Sequence, residues 1–130
     1  MNDTDKPPDR RFQKQERVRL RSEFDRIYAQ RRSASNELLT VYVCENGLAW
    51  SRLGMSISRK VGGAVVRNLI RRRIREAFRK NKSALPTELD IVCVVKPGLP
   101  ASEAQYAKSI ERLTSTAQCR RPKPRPEDKL

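Results

Sequence analysis

The sequence predicts a single-domain α+β sandwich in which helices pack on a small sheet, in the order α-β-β-α-β-α. Three observations support this class. Apolar residues recur at helical spacing in three segments, they alternate or run continuously in three others, and turn residues separate the two kinds of segment. A chain of 130 residues has room for one such domain with a modest core.

The first predicted element is a helix that opens at Ser22. Asp25 stands three residues later and completes a capping-box pattern, in which each side chain bonds to backbone at the helix start. Phe24, Ile27 and Tyr28 follow at the spacing of one helical face. We expect that face to pack on the sheet.

Two strands are expected next. Residues 38–44 and 50–58 have the alternating pattern of half-buried strands. In the first of them, Tyr42 points away from the valines on either side of it. The pair Asn46-Gly47 is a tight-turn signal. The second strand is therefore expected to return beside the first.

The second half of the domain is predicted to be helix, strand and helix. The period becomes helical after Gly63 and stays so to about Lys82. Residues 89–95 form a near-continuous apolar run, which indicates a central strand buried on both faces. Ser102 and Gln105 form another capping-box pair, which opens the last helix.

The two ends of the chain differ from this folded part. Residues 1–16 are polar and contain proline, so a disordered tail is expected. Residues 118–130 are basic and carry prolines at alternate positions, which favours an extended disordered tail. The domain is therefore predicted to span residues 17–117.

The net charge of the chain limits the classes of function that the sequence supports. The chain has 29 Lys or Arg, 15 Asp or Glu and no His, for a net charge of +14. This excess favours a polyanionic partner, nucleic acid before an anionic membrane. Without His, and with three Cys that lack C-x-x-C spacing, neither a zinc site nor protein-based acid-base catalysis is indicated. With no membrane-length apolar run and no signal-peptide pattern, we expect a soluble, cytoplasmic protein.

Most of the charge lies in one predicted helix. Residues 59–82 hold ten Lys or Arg and a single acid, Glu76. On a helical wheel the apolar positions share one arc, and Asn68 with several arginines fills the opposite arc. A merely solvated helix would interleave acids with bases, and a membrane helix would need an exposed apolar face. The pattern indicates a nucleic-acid surface, for which Arg suits bidentate phosphate contacts.

The same region carries a family resemblance. Residues 54–78, GMSISRKVGGAVVRNLIRRRIREAF, resemble the RNR-motif signature of the protein subunit of bacterial ribonuclease P. The SEFDRIY of residues 22–28 and the strands fit the same order, and the similarity extends over residues 17–113. Leu69 stands where the family often has a basic residue, and Gly63 where Asn or Lys is common.

This resemblance implies a fold and a function. The fold would have a left-handed β-α-β crossover around the basic helix. The protein would bind a catalytic RNA and, with it, remove the 5′ leader from precursor tRNA. The chemistry would come from the RNA and from magnesium held mainly by the RNA, with no catalytic residue in the protein and no protein oligomer required. The alternatives are a ribosomal-type protein that clamps structured RNA and a DNA-compacting protein.

Carried over by position, the resemblance assigns residues to two surfaces. The catalytic-RNA surface would comprise Arg59, Lys60, Arg67, Asn68, Arg71, Arg72, Arg75 and Arg79. The leader cleft, between the first helix and the sheet, would comprise Phe24, Tyr28, Tyr42, Ser56 and Ser58. Aromatic rings suit this cleft because unpaired bases stack on them. For Phe24 and Tyr28 the alternative is a place wholly in the core.

Overall fold

The computed structural model of the chain describes residues 14–119. Its helices and strands are, in chain order, α1 (Arg21–Gln30), β1 (Ser33–Ser35), β2 (Leu39–Glu45), β3 (Arg52–Ser56), α2 (Ala64–Lys80), β4 (Leu89–Val95) and α3 (Glu103–Cys119). Short 3-10 turns lie at Lys14–Glu16 and Lys82–Ala84. The predicted α+β class is confirmed, and the element order differs from the predicted one by an additional short strand, β1.

The structure continues slightly past the predicted domain boundaries. Glu16 is buried, and its carboxylate accepts a hydrogen bond from Lys82 Nζ at 2.8 Å. At the other end α3 continues to Cys119. The remainder of the two predicted tails, residues 1–13 and 120–130, lies outside the described residues.

The described residues form a four-stranded sheet in the order β1-β2-β4-β3. β4 is central as predicted, antiparallel to β2 and parallel to β3. The expected hairpin between β2 and β3 is therefore wrong. Apart from Asp90, β4 is apolar on both faces, so it is best buried in the middle of the sheet. After β2 the chain stays beside β4, because Asn46 donates its backbone N–H to the Glu88 carbonyl at 3.0 Å.

The short strand β1 was not visible in the sequence pattern. It pairs antiparallel with β2, and within it only Ala34 is buried. A three-residue strand with Ser on both sides of one Ala has no alternation long enough to register as a strand signal. β1 widens the sheet beyond β2.

Helices cover the two faces of the sheet unequally. α2 and α3 pack on one face, where the larger core includes Val41, Ile74, Ile91 and Ile110. α1 packs on the other face over a smaller cluster that includes Ile27. β3 and β4 are parallel neighbours joined through α2, which confirms a β-α-β crossover. Its left hand stays a prediction.

The start of α1 is set by one carboxylate. The predicted Ser22–Asp25 capping box is wrong, because Glu23 takes the free donors at this helix end. Its Oε1 accepts the backbone N–H groups of Leu20 at 3.1 Å and Arg19 at 3.3 Å. Glu23 has this advantage because its longer side chain reaches back over the first turn.

The start of α3 follows the prediction. The backbone N–H of Ser102 donates to Gln105 Oε1 at 2.8 Å, and the N–H of Gln105 donates to Ser102 Oγ at 3.2 Å. The predicted basic helix forms as α2, although it begins at Ala64 and ends at Lys80. Within the described range, no helix is long and apolar enough to cross a membrane.

Candidate nucleic-acid interface

α2 separates an apolar stripe from an arginine face, as predicted. Ile70, Ile74, Ala77 and Phe78 are buried in the core. The predicted RNA-binding residues lie along α2 and the turn before it, each exposed or half-buried: Arg59, Lys60, Arg67, Asn68, Arg71, Arg72, Arg75 and Arg79. The structure therefore brings the whole predicted set together on one helix and its entry turn.

Two of these arginines bond to neighbours on the same helix. Arg71 Nη1 donates to Asn68 Oδ1 at 2.9 Å, which holds the two side chains as one unit. Arg79 donates to both carboxylate oxygens of Glu76, at 3.0 and 2.7 Å. These bonds lower the pKa of Glu76, so it stays ionised and offsets the charge of Arg79. Arg79 therefore adds less net positive charge to the face than its position suggests.

Three other arginines of α2 differ in their hydrogen bonding. Arg73, which flanks the apolar stripe, donates from Nη1 to the Ala101 carbonyl at 2.7 Å and so ties α2 to the loop before α3. The Nε atoms of Arg67 and Arg75 are buried and have no hydrogen-bond partner among residues 14–119. Neither arginine forms a salt bridge with a carboxylate of the same residues, although the charge of Arg75 helps to lower the pKa of Glu76.

On the opposite face of the sheet, Phe24, Tyr28 and Tyr42 form an aromatic cluster. The ring centroids of Tyr28 and Tyr42 are 4.9 Å apart with an interplanar angle of 83°, and those of Phe24 and Tyr28 are 6.3 Å apart. The three rings are half-buried and rest on the buried side chains of Ile27 and Val92. Each ring therefore packs on the core and also reaches the surface.

The two serines predicted for the leader cleft, Ser56 and Ser58, lie in different environments. Ser56 ends β3 on the face that carries the aromatic cluster, and it shares a hydrogen bond with Tyr28. Burial raises the pKa of Tyr28, and the bond with Ser56 partly opposes that shift. The prediction that Ser58 lies on the sheet is wrong. Ser58 is exposed beyond β3, where its carbonyl accepts the N–H of Val61 at 3.1 Å and the chain turns towards α2.

Two neighbours of the aromatic cluster were missed by sequence reasoning. Arg31 and Ser33 line a shallow depression with Tyr28 and Tyr42. Arg31 ends α1 in the left-handed conformation, with φ of 53°, and its N–H donates to the Tyr28 carbonyl. The signal in the sequence was the position of Arg31, a cation that follows directly after the helix with the predicted aromatic face.

Gly54 allows Phe24 to lie close to the sheet. A Cβ at this position would stand 3.0 Å from the Phe24 ring and 3.0 Å from the Val18 Cβ. Because that is closer than carbon atoms normally approach, a side chain here would displace the ring. Gly54 therefore sets the position of Phe24 by leaving it room.

A buried ion network, also missed from the sequence, joins α1 to the sheet. The Asp90 carboxylate is fully buried at the start of β4. Arg52 donates to both of its oxygens at 2.7 and 2.6 Å, Arg26 donates to Oδ2 at 2.7 Å, and Asn46 donates to Oδ1 at 3.0 Å. Arg52 also donates to Glu23 at 2.6 Å. An acid opening an otherwise apolar buried strand was the signal that such partners were needed.

The network shifts the pKa values of Arg52 and Glu23. The hydrogen bond to Asp90 raises the pKa of Arg52. Partial burial alone would raise the pKa of Glu23, but hydrogen bonds from the Leu20 N–H, from Arg52 and from the Arg19 N–H outweigh it and lower the pKa. The carboxylate that caps α1 is thus held ionised by the backbone N–H groups at the helix start and by an arginine of β3, which couples the start of α1 to the sheet.

The carboxylates and the two buried cysteines of residues 14–119 offer neither a metal site nor a reactive thiol. Across residues 14–119, no group of three or more Cys, Asp or Glu side chains could hold a metal ion. Burial raises the pKa of Cys93 to about 12, and burial likewise raises the pKa of Cys44. Both thiols are therefore held in the protonated form, which is a poor ligand and nucleophile.

An arginine-rich helix and a separate half-buried aromatic cluster, carried on one small α+β domain, define a nucleic-acid-binding protein. The family model described as ribonuclease P matches residues 12–118, most of the chain. The chain belongs to the ribonuclease P protein family, whose members are protein components of a ribonucleoprotein endoribonuclease.

Individual relatives agree with this assignment. The chain is 42% identical over 88 residues to the ribonuclease P protein component of Thermotoga maritima, covering 68% of this chain and 75% of the relative. The component of Syntrophus aciditrophicus is 42% identical over 102 residues, covering 78% and 84%. The solved RNase P protein from Thermotoga maritima aligns with a TM-score of 0.70 at 32% identity, covering 81% of this chain and 98% of that one. The predicted resemblance is confirmed.

Proposed function

We propose that this protein binds the catalytic RNA of ribonuclease P through α2 and the 5′ leader of precursor tRNA through the aromatic cluster, and so assists removal of the leader. The observation that carries the proposal is the separation of two unlike surfaces. One is a row of arginines on a rigid helix, and the other is a half-buried aromatic cluster on the other face of the sheet.

α2 suits a folded RNA. Its arginines are fixed by an apolar stripe that packs in the core, so the helix presents them at constant spacing. Guanidinium groups bond phosphates in a bidentate manner, and Asn68 adds both a donor and an acceptor for a sugar or base edge. Adjacent arginines repel one another, and a phosphate backbone relieves that repulsion.

The aromatic cluster suits a single strand. Exposed parts of the Phe24, Tyr28 and Tyr42 rings can stack with unpaired bases, at about 1–3 kcal/mol per base. Arg31 lies beside the rings and can follow the phosphates. A paired strand could not offer its bases to these rings, so the cluster favours the unpaired leader over the folded tRNA body.

The chain contributes binding and orientation. Among the described residues, the carboxylates of Asp90, Glu23 and Glu76 are each bonded to arginine, which disfavours magnesium binding at these three positions. We propose that the RNA holds the catalytic magnesium. We also propose that the complex acts in the cytoplasm, where the protein would encounter both precursor tRNA and the catalytic RNA.

The test is cleavage of precursor tRNA by a bacterial ribonuclease P RNA at low magnesium, with and without this protein. We expect the protein to be required for cleavage at the mature 5′ end. If it binds the RNA yet leaves cleavage unchanged, it is a structured-RNA-binding protein of another kind, and the leader assignment falls. Binding to duplex DNA as tight as to the catalytic RNA would favour the DNA-compacting alternative.

A further inference from the structure

A groove between the two surfaces is lined partly by residues of the two predicted sets and partly by residues that belong to neither set. One wall carries Arg17 and Arg19 from the segment before α1, and the other carries Arg71 and Arg75 from α2. Its floor is formed by Val18, Phe24, Leu53, Gly54 and Met55. We call it the junction groove, because it contains both an aromatic residue of the predicted leader cleft and arginines of the predicted RNA surface.

The backbone fixes the wall that carries Arg17 and Arg19. Arg17 forms an isolated parallel β-bridge with Leu53. The backbone N–H of Val18 donates to the Leu53 carbonyl at 2.9 Å. Val18 is buried, while the arginines on either side of it are exposed. An extended segment alternates its side chains, so anchoring Val18 directs both arginines away from the core.

The chemistry of the groove matches a single-stranded polyanion. Four arginines line it, and no carboxylate is among the described residues that line it. The nearby acid, Glu23, is already bonded to Arg52. The floor is apolar and includes the Phe24 ring. Cationic walls for phosphates with an apolar, aromatic floor for bases are the features that hold single strands.

We propose that the junction groove holds the leader of precursor tRNA as it passes between α2 and the aromatic cluster, with Arg17 and Arg19 contacting its phosphates. This proposal rests on the proposed function and extends the leader site to residues that the sequence resemblance did not assign. A single strand fits better than folded catalytic RNA, because bases must reach the Phe24 ring between two walls.

The test compares two charge-matched double variants of the full chain, each assembled with the catalytic RNA. Arg17→Gln/Arg19→Gln removes two positive charges from the groove. Lys108→Gln/Arg112→Gln removes two from the exposed side of α3, outside the groove. Affinity is measured for leader-bearing precursor tRNA and for mature tRNA over a series of salt concentrations, with thermal melting to verify folding.

We expect the groove variant to bind leader-bearing tRNA about tenfold more weakly than wild type near physiological salt. The slope of log affinity against log salt concentration should fall in magnitude by about 1.4, which is about 0.7 for each lost phosphate contact. Mature tRNA and the α3 variant should show little change. Arg17→Lys/Arg19→Lys keeps the charges and should retain most of the slope.

Other results overturn the proposal in distinguishable ways. Equal losses on leader-bearing and mature tRNA, together with weaker binding of the catalytic RNA, would assign the groove to the catalytic RNA. Equal losses in the groove and α3 variants would reduce the effect to net charge. Unchanged binding would leave the groove without this ligand. If the wild-type protein itself does not favour leader-bearing tRNA, the proposed function fails first.

Discussion

Tyr42 shows how a single residue links the fold to the site. Strand alternation turns it away from Val41 and Val43, which are fully buried in the larger core. It therefore meets Tyr28 edge-on across the other face of the sheet, where both rings stay half-buried. The same period-2 geometry that builds the core thus places an aromatic ring where an unpaired base can reach it.

Tyr42→Ala should weaken binding of leader-bearing precursor tRNA about tenfold, because loss of one stacking partner costs about 1–3 kcal/mol. Mature tRNA should bind almost as before. Tyr42→Phe keeps the ring and should bind normally, while Trp50→Ala removes an exposed aromatic residue outside the cluster and serves as a control. Equal losses on the two tRNAs in equilibrium binding would show that Tyr42 acts only through stability.

Arg71→Ala should weaken binding to the catalytic RNA and lower the salt slope by about 0.9 if the residue contacts one phosphate of a duplex region. The matched variant is Arg112→Ala, an exposed arginine on α3. Affinities measured by filter binding across salt concentrations separate a direct contact from a change in net charge. Identical slopes for the two variants would remove Arg71 from the interface.

At the scale of elements, α1 is held to the sheet by charge as well as by apolar packing. Asp90 lies in β4, Arg52 in β3, and Arg26 and Glu23 in α1, so their hydrogen bonds connect three elements. Breaking a buried pair leaves an uncompensated charge, which is costly. The network therefore fixes the helix that carries two members of the aromatic cluster.

Asp90→Asn should lower the free energy of unfolding by about 1.5–3 kcal/mol, because Arg52 and Arg26 lose their charge-assisted hydrogen bonds to the Asp90 carboxylate while Arg52 keeps its pair with Glu23. Asp25→Asn is the control on the same helix. Asp25 forms an exposed pair with Arg21 at 4.0 Å, and its loss should cost under about 1 kcal/mol. Urea unfolding measures both, and similar small losses would show that the network contributes little.

Glu23 makes the start of α1 sensitive to acid. Its pKa in the folded protein lies below the ordinary value of 4.5, so ionised Glu23 stabilises the fold above that pH. The contribution is lost as the pH falls from 4.5 through the lower folded value. Glu23→Gln should therefore be less stable than wild type at pH 7, with the difference shrinking in acid.

Urea unfolding between pH 3 and pH 7 tests this behaviour. Glu37→Gln replaces an exposed glutamate outside α1 and should follow the wild-type curve. A stability difference between wild type and Glu23→Gln that stays constant over the whole range would show that the cap does not depend on ionisation of Glu23.

At the scale of the whole molecule, local patterns in the sequence predicted most of the fold. The apolar stripe of α2, the continuous run of β4 and the Ser102–Gln105 cap each depend on neighbouring residues, and each is confirmed. The placement of both candidate surfaces follows from the same patterns, because burying one side of α2 and of β2 exposes the other. The prediction that Ser58 lies on the sheet is wrong because β3 has already ended and a turn begins at this residue.

The features that escaped prediction depend on partners distant in sequence. Placing β4 between β2 and β3 requires knowing which edges pair, and no local pattern encodes that. The bonds of Asp90 to Arg26 and Arg52 span 64 and 38 positions and exist only in this register. The junction groove likewise forms only when the segment of Arg17 and Arg19 lies beside β3, opposite α2.

The central claim is that the two faces of this domain serve two different RNAs, and site-specific crosslinking tests it most directly. A benzoylphenylalanine probe is placed singly at Val65, which is exposed on α2, or at Ser33, which lines the depression beside Tyr28 and Tyr42. In the assembled complex we expect the Val65 probe to crosslink the catalytic RNA and the Ser33 probe to crosslink the precursor-tRNA leader. Crosslinking of the same RNA by both probes would contradict the claim.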